Sequence, residues 1–215
     1  MNISNNILKE HLKNVYFLCG GAYGGKTTMA KLLEKKYGFI RYREGDMWEE
    51  HFRIADSAYQ PAISFNRSAD WNGFYNQPVE QYHKWLTDGL REEAEMAIID
   101  LIKLSQNKKV IADIIIPVDI LKEIADYSQV VLLFAPIQMK SEHYFDRDDK
   151  QDMYKHILSM PAPQKTLENV LNTLTYKGEE EIQNFYDSGF KCIMRTNDST
   201  IEKTVTEIEK HFNLI

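Results

Sequence analysis

The glycine-rich segment at residues 20–27 most constrains what this chain can fold into. Its sequence, Gly-Gly-Ala-Tyr-Gly-Gly-Lys-Thr, matches the pattern G-x-x-x-x-G-K-[ST] in full. The apolar run Val15–Cys19 leads into it, and a helical pattern that stops at Gly38 begins at Lys26. A buried strand that passes through such a loop directly into a helix predicts a binding site for phosphate groups.

The residue types of this segment suit phosphate chemistry. Glycines accept positive φ angles, which brings consecutive N–H groups close to phosphate oxygens, and the following helix adds the positive end of its dipole. The Lys26 ammonium can reach the β- and γ-phosphates, and the Thr27 hydroxyl can bind Mg²⁺. The predicted nucleotide-binding residues of this segment are Gly20, Gly21, Ala22, Tyr23, Gly24, Gly25, Lys26, Thr27 and Thr28.

The rest of the chain alternates between strand-like and helix-like patterns. The further predicted strands are Phe39–Tyr42, Val110–Ile116, Val130–Ala135 and Phe190–Met194. Helices are predicted from Met47 to about Ala55, from Val79 to about Gln106, over a short stretch to about Ala125, over 138–159, 164–175 and 178–187, and after a cap at Ser199 or Thr200. Residues 56–78 show neither the helical nor the strand periodicity of apolar residues. The alternation predicts an α/β fold with a mainly parallel sheet, in a single domain that spans 1–215.

Composition excludes several classes of protein. Lysine and arginine total 26 against 32 aspartates and glutamates, a formal charge of −6, which argues against a nucleic-acid partner. No run approaches the roughly 18 apolar residues of a membrane span, and the N-terminal residues lack the apolar core of a secretory signal, so no membrane partner is expected. The two cysteines, Cys19 and Cys192, cannot form a disulfide framework and favour a reducing, cytoplasmic location.

The loop motif, its place near the N-terminus and the α/β pattern resemble the P-loop kinases of nucleotides and small molecules. That group includes the nucleoside monophosphate kinases, the shikimate and gluconate kinases and chloramphenicol phosphotransferase. The resemblance implies a three-layer fold whose parallel strands have the order 2-3-1-4-5. It also implies a helical lid at 138–163 and, after the second strand, an acceptor-binding insertion with a long helix at 56–106. ATP and Mg²⁺ are the implied cofactors.

Asp46, just after the second predicted strand, is a candidate for acceptor chemistry. The resemblance implies that an aspartate at this place orients or deprotonates the acceptor hydroxyl. The stretch 44–47, Glu-Gly-Asp-Met, also looks like the Thr-Gly-Asp segment with which nucleotide kinases bind their acceptor. The alternative is that Asp46 is the N-cap of the helix that follows.

Asp113 lies inside an apolar run, so its carboxylate needs a partner. It can hold Mg²⁺ beside Thr27, serve as a base or acceptor ligand, or make a purely structural hydrogen bond. The resemblance implies an acid at the end of such a strand, whereas the residues Ile114–Ile116 continue the apolar run.

Several basic and polar residues are candidates for contacts with the substrates. The resemblance implies that Arg147, in the lid, closes onto the transferred phosphoryl group, although its acid-rich neighbours also fit a solvated helical face. Arg195 and Asn197 follow the last strand, where the resemblance implies a loop beside the adenine; a plain connection is the alternative. Arg91 and Arg67 are weaker candidates for acceptor or phosphate contacts.

The chain is rich in aromatic residues, with 3 Trp, 12 Tyr and 10 Phe, and many fall between Trp48 and Trp85. Those in the irregular segment form a slot for a ring or sugar, or they pack that segment onto the long helix. The loop motif and the resemblance together imply an ATP-dependent kinase of a small molecule. The Gly-Asp stretch and the aromatic segment make a nucleoside or nucleotide the first expectation for the acceptor and a metabolite or antibiotic hydroxyl the second. A non-transferring NTP-binding regulator and a kinase with a lost acceptor site are the alternatives.

Overall fold

A five-stranded parallel sheet is the centre of the computed structural model, which describes residues 3–43, 45–65 and 70–215. The strands are β1 (Val15–Cys19), β2 (Ile40–Arg43), β3 (Val110–Asp113), β4 (Val130–Phe134) and β5 (Lys191–Met194). Their order is β2-β3-β1-β4-β5, and each pair of neighbours runs parallel. The three central strands are almost entirely buried apolar runs, as expected for strands with helices on both faces. The predicted α/β class and strand order are confirmed.

Helices cover both faces of this sheet. Those before β3 are α1 (Asn5–His11), α2 (Lys26–Tyr37), α3 (Trp48–Ile54), α4 (Trp71–Tyr75) and α5 (Val79–Leu104). Those after β3 are α6 (Val118–Ile124), α7 (Ile137–Glu142), α8 (Gln151–Leu158), α9 (Pro163–Thr175), α10 (Gly178–Asp187) and α11 (Ile201–His211). On one face α2 and α11 pack around Leu33 and Ile208, and on the other α5, α6 and α10 pack around Leu101, Leu121 and Phe185. None of the helices in the described part of the chain has the length and apolar character to span a membrane.

The third strand ends at Asp113, three residues before its predicted end at Ile116. Ile114 and Ile116 are nevertheless only 1% and 3% exposed, because the chain continues inside the core before Pro117 caps α6. The Ile114 backbone still donates to the Leu18 carbonyl at 3.4 Å, whereas Ile116 is apolar because of packing alone. The shorter strand places Asp113 at the carboxyl edge of the sheet, where ligands bind in open α/β folds.

The segment predicted as one helix over 138–159 is broken in the structure. Between α7 and α8 the chain forms two 3-10 turns, Tyr144–Asp146 and Asp148–Lys150. A side-chain to backbone bond lies across the break, since Gln151 Nε2 donates to the Phe145 carbonyl at 2.5 Å. Such bonds compete with helical geometry, which is why an acid-rich segment with a helical period did not form one continuous helix.

Two short helices lie where the sequence patterns predict none. The helix α1 packs against α6, and α4 lies inside the irregular segment 56–78. Asp70 caps α4, because its carboxylate accepts a hydrogen bond from the Gly73 backbone at 2.8 Å. The predicted cap of α11 is confirmed, since the Thr200 hydroxyl accepts from the Lys203 backbone at 3.3 Å.

A third apolar cluster joins the region after β2 to the segment predicted as a lid. Its buried members are Phe74, Tyr75, Tyr82, Ile157 and Val170. They come from α4, α5, α8 and α9, so the part of the chain from α8 to α9 is packed onto the long helix and its neighbour. Buried side chains therefore hold α8 and α9 against α4 and α5.

Candidate phosphate-binding site

The loop between β1 and α2 has the backbone that a phosphate cradle requires. Gly20 and Gly25 adopt φ angles of 105° and 92°, which favour glycine, and Tyr23 adopts 64° despite its side chain. Gly25 is the N-cap of α2; no side chain caps this helix, and its first turn holds no acidic residue. The positive end of the α2 dipole is therefore left for an anion supplied from outside the chain.

Two glycines of this loop lie directly against β4. A Cβ atom at Gly20 would overlap the backbone of Leu133, and one at Gly24 would overlap the backbone of Leu133 and Phe134. These strand residues are at most 1% exposed and lie in the core, so their backbone cannot move aside. Position 24 therefore requires glycine, because there is no room for a Cβ atom.

We expect Gly24→Ala to lower the free energy of unfolding by about 2 kcal/mol, since overpacking against a buried strand displaces the loop. Chemical denaturation measures this change. The matched control is Gly89→Ala in α5, where a Cβ atom would meet the Ala62 Cβ at an ordinary 3.8 Å. That substitution should stabilise the protein by about 0.5 to 1 kcal/mol, because alanine favours a helix interior. Equal effects of both substitutions would contradict the close approach of the loop to β4.

Lys26 lies at the start of α2 with its side chain turned back over the loop. Its Nζ donates to the Gly21 carbonyl at 2.7 Å and lies 3.5 Å from the Gly20 carbonyl oxygen. These bonds place the ammonium beside the amides of the same loop. A cation held there is positioned to pair with phosphate oxygens in exchange for the carbonyl contacts.

Asp113 is the most deeply buried carboxylate at this edge, with 3% of its surface exposed. Its Oδ2 atom is buried and has no hydrogen-bond partner. Burial raises the pKa of the Asp113 carboxyl, while a side-chain hydrogen bond with Thr27 and the charges of Lys26, Arg41 and Arg43 act in the opposite direction. The structure thus brings together Thr27 and Asp113, the two residues predicted to hold the metal.

The donor set at this place fits Mg²⁺. A hydroxyl and a carboxylate are hard oxygen ligands, and Mg²⁺ is commonly held by one or two protein groups together with phosphates and water. The unpartnered oxygen of Asp113 is the atom that a cation, or water bound to one, would satisfy. Among the described residues, no group of three or more His, Cys, Asp or Glu side chains forms a metal site built from protein ligands only.

Asp46 lies in the turn between β2 and α3 and is paired with a cation. Both Nε and a terminal nitrogen of Arg43 contact its Oδ1 atom, at 2.8 and 2.6 Å. The interpretation of Asp46 as a helix cap is wrong, because Met47 occupies the N-cap of α3 and no side chain caps that helix. Arg43 is also the cross-strand neighbour of Asp113, and its charge acts on that carboxyl as well.

Tyr23 connects the tip of the loop to the segments on either side of it. The Arg195 guanidinium lies 4.6 Å from the centre of the Tyr23 ring, and its Nη1 donates to the Tyr23 carbonyl at 3.2 Å. The His143 ring, at the end of α7, stacks on Tyr23 at 5.4 Å. The structure therefore brings the predicted residue Arg195 to the loop, while Asn197 lies in an exposed turn after β5.

The other predicted basic residues are paired away from the loop. Arg147 makes a bidentate ion pair with Asp149, at 2.9 and 2.8 Å, inside the segment predicted as a lid. Arg91 makes a similar pair with Asp119 at the start of α6. Arg67, like residues 44 and 66, lies outside the described residues.

The aromatic residues of the irregular segment mostly favour the packing interpretation. Phe74 and Tyr75 are 6% and 7% exposed and belong to the third apolar cluster, and Phe74 contacts the Trp85 ring edge-on at 4.8 Å. Two others remain at the surface, since Tyr59 and Phe65 are 79% and 51% exposed.

A buried histidine with two carboxylate neighbours is a feature that the sequence patterns did not single out. His51 in α3 lies 2.8 Å from Glu93 and 2.7 Å from Asp100, both in α5. The signal was the presence of two acids seven positions apart in an otherwise apolar stripe, which places them on one face of the helix. The spacing patterns of metal ligands do not reveal such a set, because its histidine lies on a different helix from its two acids.

The comparisons with known proteins give a distant likeness. No family model matches the chain, and no curated protein matches it at a significant level. Among solved structures it is similar to a deoxyadenosine kinase from M. mycoides with bound dCTP, with 14% sequence identity and a TM-score of 0.43. The alignment covers 94% of this chain and 99% of that chain. Because the identity and the TM-score are both low, nothing about the reaction of this chain is inferred from that protein.

Proposed function

We propose that this protein is an ATP- and Mg²⁺-dependent kinase that transfers the γ-phosphoryl group of ATP to a hydroxyl of a small molecule. The observation that carries the proposal is the loop at residues 20–27. Its positive φ angles, the uncapped start of α2 and the ammonium of Lys26 over the loop together suit a polyphosphate.

The transfer step needs charge neutralisation on the phosphates. Lys26 supplies one positive charge, which can follow the charge that develops between the β- and γ-phosphates. When bound, Mg²⁺ would neutralise the same oxygens, and Thr27 and Asp113 are the residues that would hold it, directly or through water. The proposed nucleotide-binding residues are those of the loop together with Thr28, Arg195 and Asn197.

The acceptor hydroxyl is proposed to lie beside Asp46. The Arg43 contacts use Oδ1, so this ion pair fixes the carboxylate without occupying Oδ2. A carboxylate held in this way can accept the hydroxyl proton and orient the nucleophile. Asp113 is the second candidate for the base, although its burial suits the metal role better. Arg147 is proposed to exchange Asp149 for the phosphoryl group when the lid closes.

The arginines favour an acceptor that carries no phosphate of its own. Six of the seven arginines lie in the described residues, and each of the six already has a partner there. The pairs are Arg41 with Glu34, Arg43 with Asp46, Arg53 with Glu50, Arg91 with Asp119, Arg147 with Asp149, and Arg195 with the Tyr23 carbonyl. Arginine is the usual side chain for binding a second phosphate. Arg147 and Arg195 are assigned in this proposal to the transferred phosphoryl group and to ATP, and the other four are held by carboxylates. We therefore propose a neutral hydroxyl compound, such as a nucleoside or an alcohol of an antibiotic, as the acceptor.

We expect the purified protein to form ADP from ATP and Mg²⁺ with at least one neutral acceptor from a panel of nucleosides, sugars and antibiotics. We expect Asp46→Asn to lower the turnover of that acceptor by about 10²- to 10⁴-fold, because the amide cannot accept the proton. The affinity for ATP should remain unchanged. Coupled ADP assays and calorimetric titration with ATP measure the two quantities.

The matched control for this experiment is Asp187→Asn, an exposed aspartate at the end of α10. It should leave both turnover and ATP affinity as they are. Tight ATP binding without transfer to any acceptor would favour a non-transferring NTP-binding regulator. Transfer that is insensitive to Asp46→Asn would remove Asp46 from the proposed mechanism.

A further inference from the structure

The helix α3 is attached to the rest of the molecule in an unusual way. His51 is its buried residue, with 2% of its surface exposed. Two apolar side chains of the same helix, Phe52 and Ile54, are 49% and 53% exposed. An amphipathic helix normally buries an apolar stripe. In α3 the buried side chain is instead the imidazole of His51. We call this residue, together with its partners Glu93 and Asp100, the anchor of α3.

Carboxylate oxygens lie against both ring nitrogens of His51. Nδ1 is 2.8 Å from Glu93 Oε1, and Nε2 is 2.7 Å from Asp100 Oδ2. A neutral imidazole has one N–H group and one lone pair, so it can donate to only one of these oxygens. The imidazolium donates to both. The geometry therefore favours the protonated ring, since a lone pair facing a carboxylate would be repelled and His51 is only 2% exposed.

The groups around His51 come from β2, from α5 and from its own helix. On β2, the Tyr42 hydroxyl donates to Asp100 Oδ2 at 3.4 Å. On α5, beside the two carboxylates, the exposed Lys103 lies 3.5 Å from Asp100 Oδ1. Within α3, Glu50 and Arg53 pair with each other at the surface.

The balance of charge in this cluster also favours the protonated ring. The second oxygen of Glu93, Oε2, is buried without a partner. Burial lowers the pKa of His51, but the hydrogen bonds and charges of Asp100 and Glu93 outweigh it, so the pKa is raised above its ordinary value near 6.5. Loss of the proton would leave Glu93 without a counter-charge and Asp100 with only the exposed Lys103.

The anchor lies next to the proposed acceptor site along the chain. The backbone of Trp48, the first residue of α3, donates to Gly45, and that of Asp46 donates to Arg43. These two bonds form the turn that carries the Asp46 carboxylate. A helix that shifts on α5 therefore shifts this turn.

We propose that His51, as an imidazolium bound by Glu93 and Asp100, is a positioning residue that fixes α3 and the Asp46 turn on the long helix α5. The turn loosens when His51 loses its proton. The sign follows from the raised pKa: the anchor is complete below the ordinary histidine range and is lost as the pH rises through the raised value. Only the role of Asp46 in this inference rests on the proposed function.

The test is a pH titration of the isolated, ligand-free protein. NMR of the imidazole signals gives the midpoint of His51, and hydrogen exchange gives the protection factors of the Asp46 and Trp48 amides. In the wild type we expect His51 to titrate with a midpoint above pH 6.5. The protection factors of the Asp46 and Trp48 amides should fall at least tenfold within one pH unit above that midpoint. Glu93→Gln keeps a hydrogen-bond acceptor for Nδ1 but removes its charge. It should move both the midpoint and the loss of protection to lower pH.

The control is His11→Gln, an exposed histidine in α1 that should change neither readout. A wild-type midpoint at or below 6.5, or protection of the Asp46 and Trp48 amides that stays constant through the midpoint, would overturn the inference. Neither readout requires ATP or an acceptor. A protein that passes this test and yet transfers no phosphate would contradict the proposed function and leave the anchor in place.

Discussion

Lys26→Met is expected to lower the rate of phosphoryl transfer by about 10²- to 10³-fold, the usual cost of removing one group that stabilises transition-state charge. The ammonium lies over the loop, 2.7 Å from the Gly21 carbonyl, where it can follow charge onto the γ-phosphate. Methionine keeps the length and apolar part of the side chain but has no charge. A coupled ADP assay with the acceptor found in the panel measures the loss.

The matched control for this substitution is Lys31→Met, an exposed residue five positions further along the same helix. This substitution also removes one positive charge from α2, but it leaves the Lys26 ammonium over the loop. We expect full activity for Lys31→Met and unchanged thermal stability for both variants within a few degrees. Unchanged phosphoryl transfer in Lys26→Met would show that this loop does not bind the transferred phosphate.

Much of the fold follows from local patterns in the sequence. The runs at β1, β3 and β4 are apolar because helices cover both faces of the sheet, and this leaves a clear signal in the chain. The loop at residues 20–27 is equally visible, because its glycines are required by positive φ angles and by the close approach of Gly24 to β4. Strand order came from the resemblance, since periodicity alone does not contain it.

Other features depend on contacts between distant segments. The end of β3 could not be placed from the sequence, because Ile114 and Ile116 are as apolar as the strand and are buried for a different reason. The aromatic residues near Phe74 proved to be a packed cluster with α8 and α9, whose positions no local pattern gives. The contacts of His51 could not be predicted either, because they join α3 to α5, which are distant in the sequence.

Asp113 shows how stability and function oppose each other at the proposed site. In the metal-free protein its carboxyl is 3% exposed, and Oδ2 has no partner. Between the ordinary carboxyl pKa of 3.8 and the value raised by burial, the folded protein holds a proton that the unfolded chain has lost. The free energy of unfolding therefore falls as the pH rises through this window, and the cost remains at neutral pH.

We therefore expect Asp113→Asn to have opposite effects on stability and on catalysis. In EDTA at neutral pH the variant should be more stable by about 1 kcal/mol, since no charge is buried. Addition of Mg²⁺ and ATP should stabilise the wild type by mass action and the variant much less. Transfer should fall by about 10²- to 10³-fold. Thermal denaturation at several pH values, with and without Mg²⁺ and ATP, measures the first two effects.

The matched control for Asp113→Asn is Asp119→Asn, because this aspartate lies in the first turn of α6, the helix that follows β3, and is exposed. Arg91 lowers the pKa of the Asp119 carboxyl through a hydrogen bond, so its ionised form supports the fold, and its loss should cost at most about 1 kcal/mol. The two variants thus remove the same charge with opposite effects on stability. If Asp113→Asn destabilised the metal-free protein as Asp119→Asn does, the buried carboxylate would be a structural partner of Thr27. A magnesium response that survived in Asp113→Asn would lead to the same conclusion, because the cation would then be held without this oxygen.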